Sequence, residues 1–175
     1  VIISTGIARQ DDIELALDAC HRMGNYDVAL LKCTSSYPAP IEEANMCMVR
    51  DLAERYNVIS GLSDHTMGIG VPLAAIALGA TVIEKHFTLD RNDGGVDSAF
   101  SLEPHELSSL VIESERAWQS LGKVTYNISE PEKNSLQFRR SIYASKNIKK
   151  GELFSKENIR IIRPGFGLEP KYFDL

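Results

Sequence analysis

The stretch Gly61-Leu62-Ser63-Asp64-His65-Thr66 and its echo Ile83-Glu84-Lys85-His86-Phe87-Thr88 constrain the fold more than any other feature. Each closes an apolar run with an abrupt block of ionisable residues: Val58, Ile59 and Leu62 in one case, Val82 and Ile83 in the other. A short apolar run bounded by glycine reads as a buried parallel strand, which puts the polar block at its C-terminal end. In a β/α barrel those ends form the active-site face, and His65 and His86 are placed to converge there.

The rest of the chain follows the same plan. Val1-Ile2-Ile3 reads as a strand ending in Ser4-Thr5-Gly6. Asp11 and Asp12 suit the start of a helix whose apolar side is Ile13, Leu15, Ala16, Ala19, Cys20 and Met23, stopped by Gly24-Asn25. Val28 to Leu31 is a second strand, ending in Lys32-Cys33-Thr34-Ser35-Ser36 and the proline-stiffened loop Tyr37-Pro38-Ala39-Pro40. A helix from about Ile41 to Arg55 leads to the third strand, Val58 to Leu62. Gly68 and Gly70 open an apolar helix from Val71 to Leu78, and Thr81 to Phe87 is the fourth strand. Leu89 to Ser101 is too charged and glycine-rich for a core element and reads as an active-site loop. Glu103-Pro104 begins the last long helix, which ends at Gly122. Four successive βα units imply a parallel sheet with right-handed crossovers. That pattern fits either an open sheet or half a closed barrel. Chemistry-bearing residues at all four strand ends favour the barrel, because an open sheet gathers its ligands at one switch point.

After Gly122 the style changes. Residues 126–140 are polar, include Pro131 and read as a linker, so the barrel segment is expected over 1–125. Ser141 to Ser145 alternates as a strand does, Lys150-Gly151-Glu152 marks a turn, and Asn158 to Arg163 is another strand. Residues 141–175 are thus expected to begin a small β module. A length of 175 residues suits one domain with such an appendage. The net charge of −5 argues against a general nucleic-acid binder, and the apolar stretch Gly70 to Ile83 is too short to span a bilayer. Cys20, Cys33 and Cys47 form no CxxC motif, and an odd count in an α/β chain fits reduced thiols in the cytoplasm. The absent initiator Met, and a first residue already inside a strand-like run, lead us to expect a segment of a longer protein.

Neutral imidazoles on adjacent strand ends make half a site for Mn, Fe, Co or Zn, with carboxylates and waters completing it. Glu84, Asp64 and Asp97 are available as ligands or as partners that orient them. The plainer alternative is that each histidine hydrogen-bonds a neighbouring strand. Ser4, Thr5, Ser35 and Ser63 stand at the ends of three strands, the usual place of a barrel's phosphate cradle, with Lys32 and Lys85 near in sequence. Each serine taken alone reads equally as a loop or cap residue. Asp97 follows Gly94-Gly95, a backbone able to approach a ligand closely. Cys33 reads as packing.

These stretches together resemble the sialic-acid synthase family, phosphoenolpyruvate-dependent enzymes that make nine-carbon acidic sugars. The matching pieces are Ile3-Ser4-Thr5-Gly6, Lys32 to Pro38, GLSDHT at 61–66, IEKHFTLDR at 83–91, the loop with Asp97, Ser101-Leu102-Glu103-Pro104, and RRSIYA at 139–144. The loop GGVDSAFSLEP at 94–104 is similar to that of the pseudaminic acid synthase branch. The resemblance implies a (β/α)8 TIM barrel, its C-terminal half present here, followed by the start of an antifreeze-like (SAF) domain. It implies a divalent metal on His65 and His86, manganese first, with magnesium or cobalt as alternatives. It implies phosphoenolpyruvate held by Ser4, Ser63 and Ser35, although the family carries an asparagine at the last position. Asp97 would sit beside the metal and the acetamido-sugar acceptor, and Tyr37 near the sugar. Arg140 would reach from the SAF domain into a partner subunit's site, making a homodimer part of the machinery. The implied reaction condenses phosphoenolpyruvate with a six-carbon acetamido sugar to give pseudaminic acid and phosphate by C–O cleavage. N-acetylneuraminic or legionaminic acid synthesis and a non-catalytic sugar-binding barrel are the competing readings. The family's lysines and glutamates from the first barrel strands are missing here, so these 175 residues alone are expected to be inactive.

Overall fold

The computed structural model describes residues 1–174. The chain divides into two units, Val1–Gly122 and Lys123–Leu175. In the first, β1 (Ile2–Ser4), β2 (Ala29–Cys33), β3 (Ile59–Asp64) and β4 (Val82–Lys85) form one parallel sheet in the order β1-β2-β3-β4. They alternate with α1 (Gln10–Arg22), α2 (Cys47–Tyr56), α3 (Gly70–Ala77) and α4 (Pro104–Ser120). Because the order never reverses, these strands contain no switch point, and right-handed crossovers bring every helix to the same side. One core joins Ile13 and Leu17 of α1 to Leu30 and Leu52; a second joins Val49 and Leu62 to Val71 and Ala75 of α3. Strand periodicity sends Ile2, Ser4, Leu31, Cys33, Ile59, Gly61 and Ser63 to the opposite face. Helices on one face only, with polar groups at the strand ends of the other, is the layout of consecutive barrel units rather than of a doubly wound sheet.

Two elements differ from expectation. The helix expected from Ile41 to Arg55 is broken: a single 3-10 turn, Ile41–Glu43, precedes α2. Between them Asn45 adopts a left-handed conformation with φ of 50°, and its amide donates to the Glu43 carbonyl at 3.2 Å. Asparagine tolerates that conformation and competes for backbone hydrogen bonds, so it ends one turn before the next starts. In the 89–101 loop, Phe100 is buried, and the neighbouring Leu102 is fully buried and bridges Phe87 as a short extension of the sheet.

The second unit begins with α5 (Glu130–Lys133) and a 3-10 segment, Asn134–Phe138. Then β5 (Ser141–Ala144) pairs antiparallel with β6 (Ile159–Ile162), with Ile142 opposite Ile161. The Gly165 N–H donates to the Gln137 carbonyl at 3.0 Å, so part of the stretch expected as linker is fastened to this module.

Candidate active site

The strand ends of the first unit gather most of the residues singled out above. Ser63 and His65 leave β3 on the uncovered face, and the register that sets Ser63 beside Glu84 sets His65 toward His86. The two imidazole rings lie 5.1 Å apart between centroids, inclined at 70°. His65 is buried, and its Nδ1 lies 3.0 Å from the Thr34 carbonyl. A carbonyl only accepts, so Nδ1 carries the proton and the neutral ring keeps its lone pair on Nε2. The Nδ1 of His86 lies 3.7 Å from a carboxylate oxygen of Asp97, too far for a direct hydrogen bond but close enough to orient the ring electrostatically. An oxygen behind one nitrogen of each ring, leaving the other free, is how metal-binding histidines are commonly held. The donor set therefore fits a divalent ion.

Aromatic rings enclose the pair. Tyr37, presented by the loop after β2, lies 4.3 Å from His65 between ring centroids at a tilt of 45°, and Phe100 lies 5.0 Å from His86. The loop carrying Asp97 and Phe100 is tied to the end of β4, because Leu102 donates to the His86 carbonyl at 2.8 Å and Thr88 to the Leu102 carbonyl at 2.9 Å. Ser4 is exposed at the end of β1. Ser35 abuts the turn that follows: a Cβ added at Gly6, where φ is 40°, would fall 2.8 Å from the Ser35 hydroxyl. Ser63 donates to Glu84 at 2.6 Å, so its proton is committed to a carboxylate.

Both lysines expected near a phosphate are occupied elsewhere. Lys32 donates to the Cys33 carbonyl at 2.6 Å and to the Thr34 hydroxyl at 3.0 Å, and burial holds its pKa below the usual lysine value. Lys85 is spent on Asp64 at 2.6 Å, which also removes Asp64 from the set of free metal ligands. Arg140 is exposed in the second unit. Among the described residues, Glu103, His105 and Glu106 form a separate cluster with ligand atoms within 4.8 Å of one another. Its carboxylates are already engaged: Glu103 accepts the Arg91 N–H at 3.0 Å, while Glu106 accepts the Glu103 N–H at 2.9 Å and pairs with the Arg91 guanidinium.

Sequence reasoning missed Phe100, whose only signal is an aromatic side chain in a charged, glycine-rich loop. It also passed over the thiol of Cys33, 3.9 Å from the His65 Nδ1. The Thr34 carbonyl leaves no signal at all, since every residue has one. Among the described residues, no helix is long and apolar enough to cross a membrane.

Comparison with known proteins adds an independent line. Residues 1–126 match the NeuB family and residues 139–175 the SAF domain. The chain is 44% identical over 172 residues to pseudaminic acid synthase of Campylobacter jejuni, covering 98% of this chain and 50% of that protein. It is 41% identical over 177 residues to N,N'-diacetyllegionaminic acid synthase of the same species, covering 99% and 53% respectively. The crystal structure of N-acetylneuraminic acid synthetase from Leptospira borgpetersenii, in complex with citrate, matches with a TM-score of 0.70 at 39% identity, over 79% of this chain and 48% of that one. The chain thus spans about half the length of the curated relatives it matches. Parallel βα units with a barrel's strand order, the family match across them and the SAF match beyond lead to one conclusion: the chain belongs to the NeuB family.

Proposed function

We propose that the protein condenses phosphoenolpyruvate with a six-carbon acetamido sugar, giving a nine-carbon nonulosonic acid and phosphate, with pseudaminic acid as the product. The observation that carries this reading is the approach of the His65 and His86 rings to 5.1 Å at adjacent strand ends, with an oxygen behind each Nδ1. A divalent ion bound there, manganese by preference, supplies Lewis-acid polarisation of the acceptor's aldehyde. The Nε2 atoms of His65 and His86 would hold it. Asp97 orients His86 and faces the acceptor's hydroxyls. Phe100, itself buried, packs against His86 and shields that side of the site, while Tyr37 beside His65 stays half exposed to solvent. Ser4 and Ser35 donate to phosphoenolpyruvate oxygens; Ser63 joins them by turning its hydroxyl away from Glu84. These groups hold C3 of phosphoenolpyruvate against the aldehyde carbon, and orientation of that kind supplies much of the rate.

C3 attacks the aldehyde carbon and a C–C bond forms; the acceptor oxygen takes a proton and C2 becomes electron-poor. Water adds to C2 and gives up one proton, matching the one taken by the acceptor oxygen. The C2 hydroxyl then gives its remaining proton to phosphate as the C2=O bond forms and the bond from C2 to the phosphate oxygen breaks, its electron pair leaving on phosphate. We further propose that Arg140 binds the acetamido group across a homodimer.

The test is phosphate release by the full-length enzyme that contains these residues, with phosphoenolpyruvate and each candidate acetamido sugar, and with His65→Ala and His86→Ala alongside. The expected result is release with the pseudaminic precursor and, in each variant, a loss beyond the about 10- to 100-fold that follows removal of a group that only orients a ligand. Undiminished turnover in both variants overturns the reading. The legionaminic relative, at 41% against 44% identity, supports a second acceptor. Preference for that sugar in the same assay would select it.

A further inference from the structure

We infer that the buried pair Asp64–Lys85, with Thr66, is the device that positions the two imidazoles; the inference rests on the two-histidine ion site proposed above. Lys85 and Asp64 are exposed by only 3% and 1% of their side-chain surface, and Lys85 Nζ meets Asp64 Oδ2 at 2.6 Å. Asp64 also accepts the Thr66 N–H at 3.0 Å on Oδ1 and the Thr66 hydroxyl at 3.1 Å on Oδ2. Lys85 donates in addition to the Thr66 carbonyl.

The connectivity gives this cluster its meaning. Asp64 and Thr66 are the chain neighbours of His65, and Lys85 is the chain neighbour of His86. The carboxylate closes a turn around residue 65 by accepting from both donors of residue 66. The ammonium then fastens both ends of that turn to the last residue of β4. Side chains alternate along a strand, so the cluster occupies the helix-covered side while the imidazoles emerge on the other. Alternation also explains why neither charge reaches the ligand pocket. A rotation or slide of the 64–66 turn against β4 would change the distance between the rings, and the buried bonds oppose both. Lys85 and Asp64 are thus positioning residues that act through the backbone; they touch no ligand.

Free Mn2+ titrated into the full chain, followed by electron paramagnetic resonance, tests this. The charge-neutral double variant Asp64→Asn/Lys85→Met should fold and bind Mn2+ about 10- to 100-fold more weakly, the range for groups that orient ligands. Thr66→Val, an isosteric change that removes only the hydroxyl, should weaken binding about threefold and serves if the double variant fails to fold. Leu110→Ala, a core change in α4 that also lowers the melting temperature, should leave Mn2+ affinity within about twofold. Unchanged affinity in the double variant or, failing that, in Thr66→Val, with binding abolished in His65→Ala, overturns the positioning role and leaves the ion site standing. Unchanged affinity in His65→Ala overturns the ion site, and the positioning role with it.

Discussion

Asp64 and Lys85 also make a separate stability prediction. When one member of a buried ion pair is removed, the other keeps its full desolvation penalty, and such truncations cost about 3–5 kcal/mol. Lys85→Met should therefore destabilise the protein by about that much, while Asp64→Asn/Lys85→Met should recover most of the loss because no unpaired charge stays buried. Urea unfolding of the two variants side by side checks this; equal losses would mean that the pair's hydrogen bonds to Thr66 matter more than its charges. These same residues mark what a reader of the sequence can and cannot extract. His65 and His86 are legible because ionisable residues that close an apolar run have few other places to go. Asp64 reads from the sequence as a ligand or an orienting partner and Lys85 as a charge near the phosphate, because both sit beside the histidines in the chain. The period of two assigns them instead to the face of Leu62 and Ile83, so the correct side was available from alternation alone. The Thr34 carbonyl that orients His65 was not, because it depends on how β2 leaves the sheet.

At the scale of the element, β3 has no room for a side chain at Gly61 beside β4. A Cβ there would lie 2.3 Å from the Val82 carbonyl oxygen and 2.7 Å from Leu31 Cδ2. Backbone cannot yield as a flexible side-chain tip does, so Gly61→Ala must spread the two strands. Overpacking of this kind costs about 1–3 kcal/mol. The strands that spread are the pair carrying the histidines, so the variant should lose Mn2+ affinity as well as melting temperature, measured on the same sample. The start of α4 yields a prediction in pH. Glu106 accepts the Glu103 N–H and pairs with Arg91, which together hold its pKa below the usual glutamate value of 4.5. A carboxylate with a depressed folded pKa adds stability that is complete above its ordinary value and is lost as pH falls through the lower one. Glu106→Gln should therefore flatten the acid limb of stability below about pH 4.5, visible in denaturation midpoints taken across that range. Element boundaries were read well where glycine punctuates them, as at Gly24, Gly79 and Gly122. They were read poorly at residues 41–46, where the breaker is an asparagine whose left-handed turn no periodicity reveals.

At the scale of the whole chain, four βα units by themselves fit an open sheet or half a barrel, and the chemistry-bearing residues at all four strand ends are what favour the barrel. The observed strand order and one-sided helices decide for barrel units, and a composition-based reading cannot supply that, because it depends on which neighbour each strand pairs with. The second unit shows the same limit. Its hairpin was legible from alternation, whereas α5 and the turn after it were hidden in a polar stretch. The bond from Gly165 to the Gln137 carbonyl makes that stretch part of the module. The chain between the units is therefore shorter than polarity implies. Lys123 opens the second unit, and close behind it Val124 and Tyr126 are exposed by 93% and 98% with nothing packed over them. A protease needs several residues of unpaired, accessible backbone, and the segment from Lys123 to the start of α5 provides them where Lys32 and Lys85 do not. Limited trypsin should cut first after Lys123, giving a new N-terminus at Val124 by mass spectrometry. A first cut after Lys133, Arg139 or Arg140 would instead show that the helical turns are loose and that the flexible link runs through them.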